Sequence, residues 1–193
     1  MAVLGPSCDL LFQQIQTPEA EVWYCHYLLI RDSGFSWFSK LPKLELQFSL
    51  SDSFTYHGEG LGDRELHEGN FNLLYVPSVD NRLYLRAGRI HTTFEIHLTS
   101  ELICKLAGSF PILGPFLGKV EKGEAALLCP LDQRTTTGMT RIMEEILDNP
   151  YMGSTKESYT VMKVMELLIV ALGQITDTIP VSMAESFSLI ANG

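Results

Sequence analysis

Hydrophobic and polar residues alternate along residues 90–98, "IHTTFEIHL": Ile90, Thr92, Phe94, Ile96 and Leu98 share one side of an extended chain, and His91, Thr93, Glu95 and His97 share the other. That period of two predicts a strand with one buried and one polar face. The same alternation puts Leu44, Leu46, Phe48 and Leu50 on one side of "LELQFSLS", residues 44–51. Residues 22–30, "VWYCHYLLI", are rich in aromatic and β-branched side chains and read as another strand. "NFNLLYVPS" ends at Pro77, which has no amide to give to a ladder, and "VDNR" supplies turn residues before "LYLRA", so a hairpin is expected. Residues 59–69, "EGLGDRELHEG", read as a polar connection. Repeated short strands with glycine-containing turns over residues 20–130 predict a small sandwich or barrel.

The period changes after Leu98. In "TSELICKLAGSF" Ser100 is the expected N-cap, and Leu102, Ile103 and Leu106 fall at helical spacing; "PILGPFLGKV" predicts another short helical turn. "AALLCP", residues 125–130, is too short an apolar run to decide between a last strand and a turn. Met139, Ile142, Met143, Ile146 and Leu147 then recur at the spacing of one helix face, and Pro150 ends that helix by disfavouring helical geometry at Asn149. Ser154 and Glu157 have capping-box spacing, which predicts a second helix from near Thr155 and an antiparallel helical hairpin.

On the second helix Lys163, Glu166, Gly173 and Gln174 form a narrow polar arc interrupted by Val170. About 220° of apolar surface is left, roughly twice what docking on one neighbour requires. The first helix covers one side through Met139, Met143 and Ile146, and the strand-rich body a second. The remainder, around Met162, Met165, Ile169 and Leu172 and continued by Met143 of the first helix, predicts a twofold dimer interface. The alternative is that all of it is intramolecular core.

Composition narrows the function classes. A hydrophobic fraction of 46% with 19% charged residues, over 193 residues, is that of one folded globular domain. The formal charge of −9, with no two adjacent basic residues, would repel a phosphate backbone, so direct nucleic-acid binding is not expected. Cys8, Cys25, Cys104 and Cys129 are scattered, which argues for reduced thiols and against structural zinc. The start, "MAVLGPSCDLLFQQ", lacks a basic leader, and no run approaches ~18 apolar residues. A cytoplasmic location is expected.

The order of a strand-rich body, two short helices and an amphipathic hairpin, with the wording of "LHEGNFNLLYVPS" (66–78), "FEIHLTSELICKLAGSFPILGPFLGKV" (94–120) and "RIMEEILDNPYMGSTKESYTVMKVMELL" (141–168), resembles the N-terminal sensor and dimerisation region of AraC-type transcription regulators over residues 40–175. The resemblance implies a mainly β fold with C-terminal α structure: a small cupin-like β-barrel or sandwich, short helices, then an antiparallel helical hairpin. It divides the chain into a sensor barrel at 1–130 with short helices at 100–120, a dimerisation hairpin at 131–176, and a linker at 177–193 toward a DNA-binding domain. That domain would carry two helix-turn-helix units, and residues 177–193 are too few to form it, so the chain is either cut at the linker or a stand-alone sensor.

A cupin-like barrel also raises the question of a metal. There is no H-x-H, and His91 and His97 are about 20 Å apart on an extended strand. Glu95 and His97 with a third ligand, His57 or His67, remain open, but no metal or other cofactor is assigned. Cys25 and His26 point to opposite faces of a strand and make no dyad, Glu144 and Glu145 point in different directions on a helix, and there is no G-x-S-x-G elbow, so no catalytic residue is assigned. The aromatic residues Trp23, Trp37, Phe48, Tyr75 and Phe94 are the expected effector-pocket wall, with simple filling of the barrel as the alternative.

Three functions follow. The leading one is a non-enzymatic, homodimeric, effector-binding regulatory module that reaches DNA only through a C-terminal domain, with no membrane contact. The others are a cupin-type metalloenzyme acting on a small molecule and a ligand-free structural interaction module.

Overall fold

The chain folds as two antiparallel sheets and four helices in a computed structural model that describes residues 2–4, 8–39, 41–58 and 60–178, with side chains described outside residues 2–4, 8, 33–39 and 79–83. The strands are β1 (Ala2–Leu4), β2 (Cys8–Gln16), β3 (Ala20–Leu29), β4 (Ser33–Ser39), β5 (Lys43–Ser51), β6 (Phe54–Gly58), β7 (Gly62–Leu66), β8 (Asn70–Val76), β9 (Val79–Leu85), β10 (Ile90–Leu98), β11 (Ala126–Leu127) and β12 (Gln133–Arg134). The helices are α1 (Ser100–Ala107), α2 (Leu113–Glu121), α3 (Thr137–Leu147) and α4 (Gly153–Thr178). The larger sheet runs β1-β2-β3-β10-β5-β8-β11, with β12 also on β8, and the smaller runs β4-β9-β6-β7.

The mainly β body with C-terminal helices is as expected, but several local readings change. Residues 70–85 do not form a hairpin: β8 pairs with β5, β11 and β12 in the larger sheet, whereas β9 pairs with β4 and β6 in the smaller. Pro77 and Ser78 turn the chain from one sheet to the other, where a residue without an amide leaves no ladder bond unmade. Within the expected connection at 59–69, Gly62–Leu66 is strand β7, paired with β6 across a turn in which Gly60 and Gly62 have φ of 79° and 74°. This edge strand buries only Leu66, and its charged positions look like a loop in sequence. In β10 the polar face is buried as well: His91 and Thr93 are enclosed, because the strand sits mid-sheet with helices on one side and the smaller sheet on the other.

The principal core lies between the larger sheet and the helices. Leu46 and Phe48, Phe71 and Leu73, and Phe94 and Ile96 meet Leu102, Ile103, Leu113, Met139, Ile146, Leu167 and Leu168 in one cluster. Phe48 stacks on Phe71 with ring centroids 5.1 Å apart and meets Phe94 edge-on at 6.1 Å. A smaller cluster, including Leu29, Phe54, Tyr56, Leu74 and Val76, fills the space between the two sheets.

The helices start and stop for local reasons. Thr99, one residue before the expected cap, accepts a hydrogen bond from the Leu102 amide at α1, and Thr136 accepts one from the Met139 amide at α3. After α3, the Asn149 side chain accepts from the Tyr151 amide and donates to the Lys156 carbonyl and the Thr160 hydroxyl, bracing the turn into α4. The 26-residue α4 is long and apolar enough, by length and composition, to cross a membrane. Its Val164, Leu167, Leu168, Ala171, Leu172 and Ile175 are packed into the core, as in a core helix of a globular domain.

The cysteine environments give a direct test. Burial pushes the Cys25 thiol up to about 11, with the Glu95 charge adding to it, and burial with the Asp132 charge pushes Cys129 up to about 12. Cys104 is an exposed free thiol. Iodoacetamide at mildly alkaline pH is therefore expected to alkylate Cys104 rapidly and to reach Cys25 and Cys129 only after denaturation, as read by peptide mass spectrometry.

Candidate functional site

Strand register assembles a charged cluster on the face of the larger sheet opposite the helices. In β10, Glu95 lies beside Trp23 of β3 and Gln47 of β5, and His97 lies beside Glu21 of β3 and Glu45 of β5. Lys43 precedes Glu45 by two residues and so shares its face. The His97 Nε2 atom is 3.7 Å from a Glu45 oxygen, 3.8 Å from a Glu95 oxygen and 3.3 Å from the Lys43 ammonium, while Nδ1 is 3.4 Å from a Glu21 oxygen. Thr93 donates to Glu95 Oε1 at 3.0 Å. The Glu45 side chain is only 5% exposed, and its Oε1 has no hydrogen-bond partner.

Burial drives the Glu45 pKa above the ordinary carboxylate range, and the Glu95 charge adds to it. Burial acts in the same sense on Glu95, but its contact with His97 and the Lys43 charge outweigh it and hold the pKa below normal. Burial opposes charge on His97, yet Glu95 and Glu45 overcome that and raise its pKa. Glu45 is thus the carboxyl of the pair that keeps a proton more readily.

Beside the cluster lies a cavity of about 30 Å³ between the sheets. Lys43, Glu45, Gln47, Thr93 and Glu95 line one side of it, and Phe54, Tyr56 and Gly58 the other. That volume admits a water or an ion and is far too small for a metabolite. A second, open groove of about 610 Å³ is lined by Leu11, Phe12, Gln13, Gln14, Tyr24 and His26. It adjoins the helical hairpin, because Gln13 donates to the Leu147 carbonyl at 3.2 Å.

The structure separates the residues expected to form an effector wall. Phe48, Tyr75 and Phe94 lie in the core on the helix side of the sheet. Trp23 lies on the other face, stacked on Phe12 at 5.4 Å and 6.4 Å from the His97 ring. The Trp37 side chain, on β4, lies outside the described residues. Of the third ligands weighed for Glu95 and His97, His57 instead meets Asp63 at 2.7 Å and His67 faces Glu65. The residue that joins them is Glu45, which the sequence does not signal because its place depends on pairing between β5 and β10.

The residues expected at a dimer interface also divide. Met143 and Leu172 are buried in the chain's own core, at 2% and 1% exposure. Met165 is half-buried against that core, while Met162 and Ile169 are exposed at 56% and 45%.

The family model described as the regulatory protein PchR N-terminal domain matches residues 25–185. No curated protein matches the chain in sequence. Among solved structures, the AraC-like transcriptional activator CuxR is similar at 10% identity and a TM-score of 0.46, over 87% of this chain and 62% of that one. KdgF from Halomonas sp. is similar at 11% identity and a TM-score of 0.37, over 51% and 87% of the respective chains. A variant oxalate decarboxylase from B. subtilis is similar at 12% identity and a TM-score of 0.37, over 51% of this chain and 27% of its own. At such identities and scores these three likenesses carry no functional weight.

Proposed function

The chain belongs to the regulatory protein PchR N-terminal domain family, the regulatory region of AraC-type transcription regulators, and from that premise we propose that it is a ligand-sensing and dimerisation domain. It relays effector state to a separate C-terminal helix-turn-helix domain, which alone contacts DNA. The module is non-enzymatic and cytoplasmic, in keeping with its free thiols.

The observation that carries this reading is the apolar stripe left on α4. Met162 and Ile169 stand two helical turns apart on one line, opposite the buried face, with Met165 between. Lys163 flanks the stripe and is tied down by Glu145 at 2.5 Å and Glu166 at 2.7 Å. A stripe along one helix is self-complementary about a twofold axis, so a second copy of the chain fits it. The open groove along β2 and β3 supports an effector site: its volume is in the range of ligand pockets, roughly 300–1,000 Å³, and its wall is bonded to the end of α3. A ligand that binds one hairpin position better than another shifts the equilibrium by that difference in affinity.

Met162→Lys and Ile169→Lys test the interface. Sedimentation equilibrium is expected to show a dimer weakened by roughly 100-fold in dissociation constant, with the circular dichroism spectrum unchanged. An unaltered mass distribution in both variants would exclude this face as the interface.

A further inference from the structure

We propose that Glu45, Glu95 and His97 form a binding site for one first-row divalent transition-metal ion, with Glu21 positioning His97 and the Lys43 ammonium occupying the cation's place when no ion is bound. Such a site is independent of the regulatory reading.

Three observations lead to it. One ligand atom from each of Glu45, Glu95 and His97 lies within 4.8 Å of the others. Donors about 2.1 Å from a tetrahedral ion stand about 3.4 Å apart, so small side-chain rotations close the set. The Glu45 carboxylate, 5% exposed, lines the between-sheet cavity and leaves Oε1 unpartnered. A buried carboxylate oxygen without a donor is costly, and a cation would satisfy it. Finally, Glu21 faces Nδ1 of His97 at 3.4 Å. A carboxylate on one imidazole nitrogen holds the other as the ligating atom, which is the usual outer arrangement of a metal-bound histidine.

Lys43 shows what the site attracts. Its ammonium lies 3.3 Å from His97 Nε2 and 4.0 Å from Glu45 Oε2, and its charge also acts on Glu95. Lys43 is a quarter exposed and on a flexible stem, so it can swing to solvent when an ion enters. One imidazole with two carboxylates suits zinc, cobalt, manganese or ferrous ions better than calcium or magnesium, which take oxygen ligands. The set comes from strand register and not from a local H-x-H spacing.

The test uses the whole chain, stripped with a chelator and titrated with Zn²⁺ by calorimetry and with Co²⁺ by visible absorption. The expected result is one ion per chain at micromolar affinity or tighter, with a raised melting temperature. Glu45→Gln and His97→Gln are expected to weaken binding by more than about 100-fold, Glu21→Gln by roughly tenfold, and Lys43→Met to tighten it. Glu45→Gln removes the carboxyl ligand at nearly constant shape, so it decides the matter alone if His97→Gln does not fold. The proposal is overturned if the wild-type chain takes up neither ion below millimolar concentration. It is equally overturned if Glu45→Gln binds as the wild type does, the ion then sitting on a surface pair such as His57 and Asp63. Neither result touches the dimer measurement, so the two readings fail separately.

Discussion

Replacing Leu172 with aspartate is expected to unfold the domain, not to dissociate a dimer. Leu172 is 1% exposed and belongs to the cluster that joins α4 to the larger sheet. A carboxylate there loses the leucine's packing and gains no hydrogen-bonding partner, a combination that costs more than about 4 kcal/mol. Against a total stability of roughly 5–15 kcal/mol for a domain, that removes most or all of the folded population. Urea unfolding followed by circular dichroism measures it, and a cooperative, fully folded monomer at the wild-type urea midpoint would show the packing of α4 to be otherwise. The contrast with Ile169→Lys is the informative one. Both positions are apolar and lie on one helix three residues apart, yet only the first is enclosed in the core.

The second large effect is expected at Asn72, 2% exposed on β8. Its Nδ2 donates to the Cys129 carbonyl at 2.9 Å and to Asp132 Oδ1 at 2.7 Å, while its Oδ1 accepts from the Leu73 amide at 2.9 Å and the Cys129 amide at 3.3 Å. One side chain therefore clips the segment between β11 and β12 onto β8. Asn72→Ala leaves a buried carbonyl and a buried amide at Cys129 without that partner, for a loss of about 3 kcal/mol. The urea midpoint is expected to fall with an unchanged slope, and Cys129 to become open to iodoacetamide before global unfolding. Continued protection of Cys129 in the variant would mean that the segment is held by other contacts.

The buried amide clip and the charged cluster share a feature that explains why neither is legible in the sequence. Asn72 finds its partners 57 and 60 residues away, and Glu45 meets His97 through pairing of β5 with β10. Each residue alone looks like a polar position on a strand's outer face. The aromatic residues err in the other direction: Phe48, Tyr75 and Phe94 look like a ligand wall when grouped by type, but their parity puts them under the helices and Trp23 on the opposite face.

The sequence by itself determined the kind of each major element, since period-two and helical hydrophobic spacing, Pro150 and the turn residues are local properties of the chain. Residues 90–98 had to be a strand, and residues 137–147 and 155–175 had to be helices seeking cover. Only the tertiary structure decided which surfaces those elements hide from water. It turned both faces of β10 inward, sent β8 and β9 into different sheets, buried Leu172 while leaving Met162 outside, and drew Glu21, Glu45, Glu95 and His97 together. The physical reason is that strand pairing and helix docking are non-local: a shift of one residue in register exchanges the faces of a strand, and no short window of sequence carries that information.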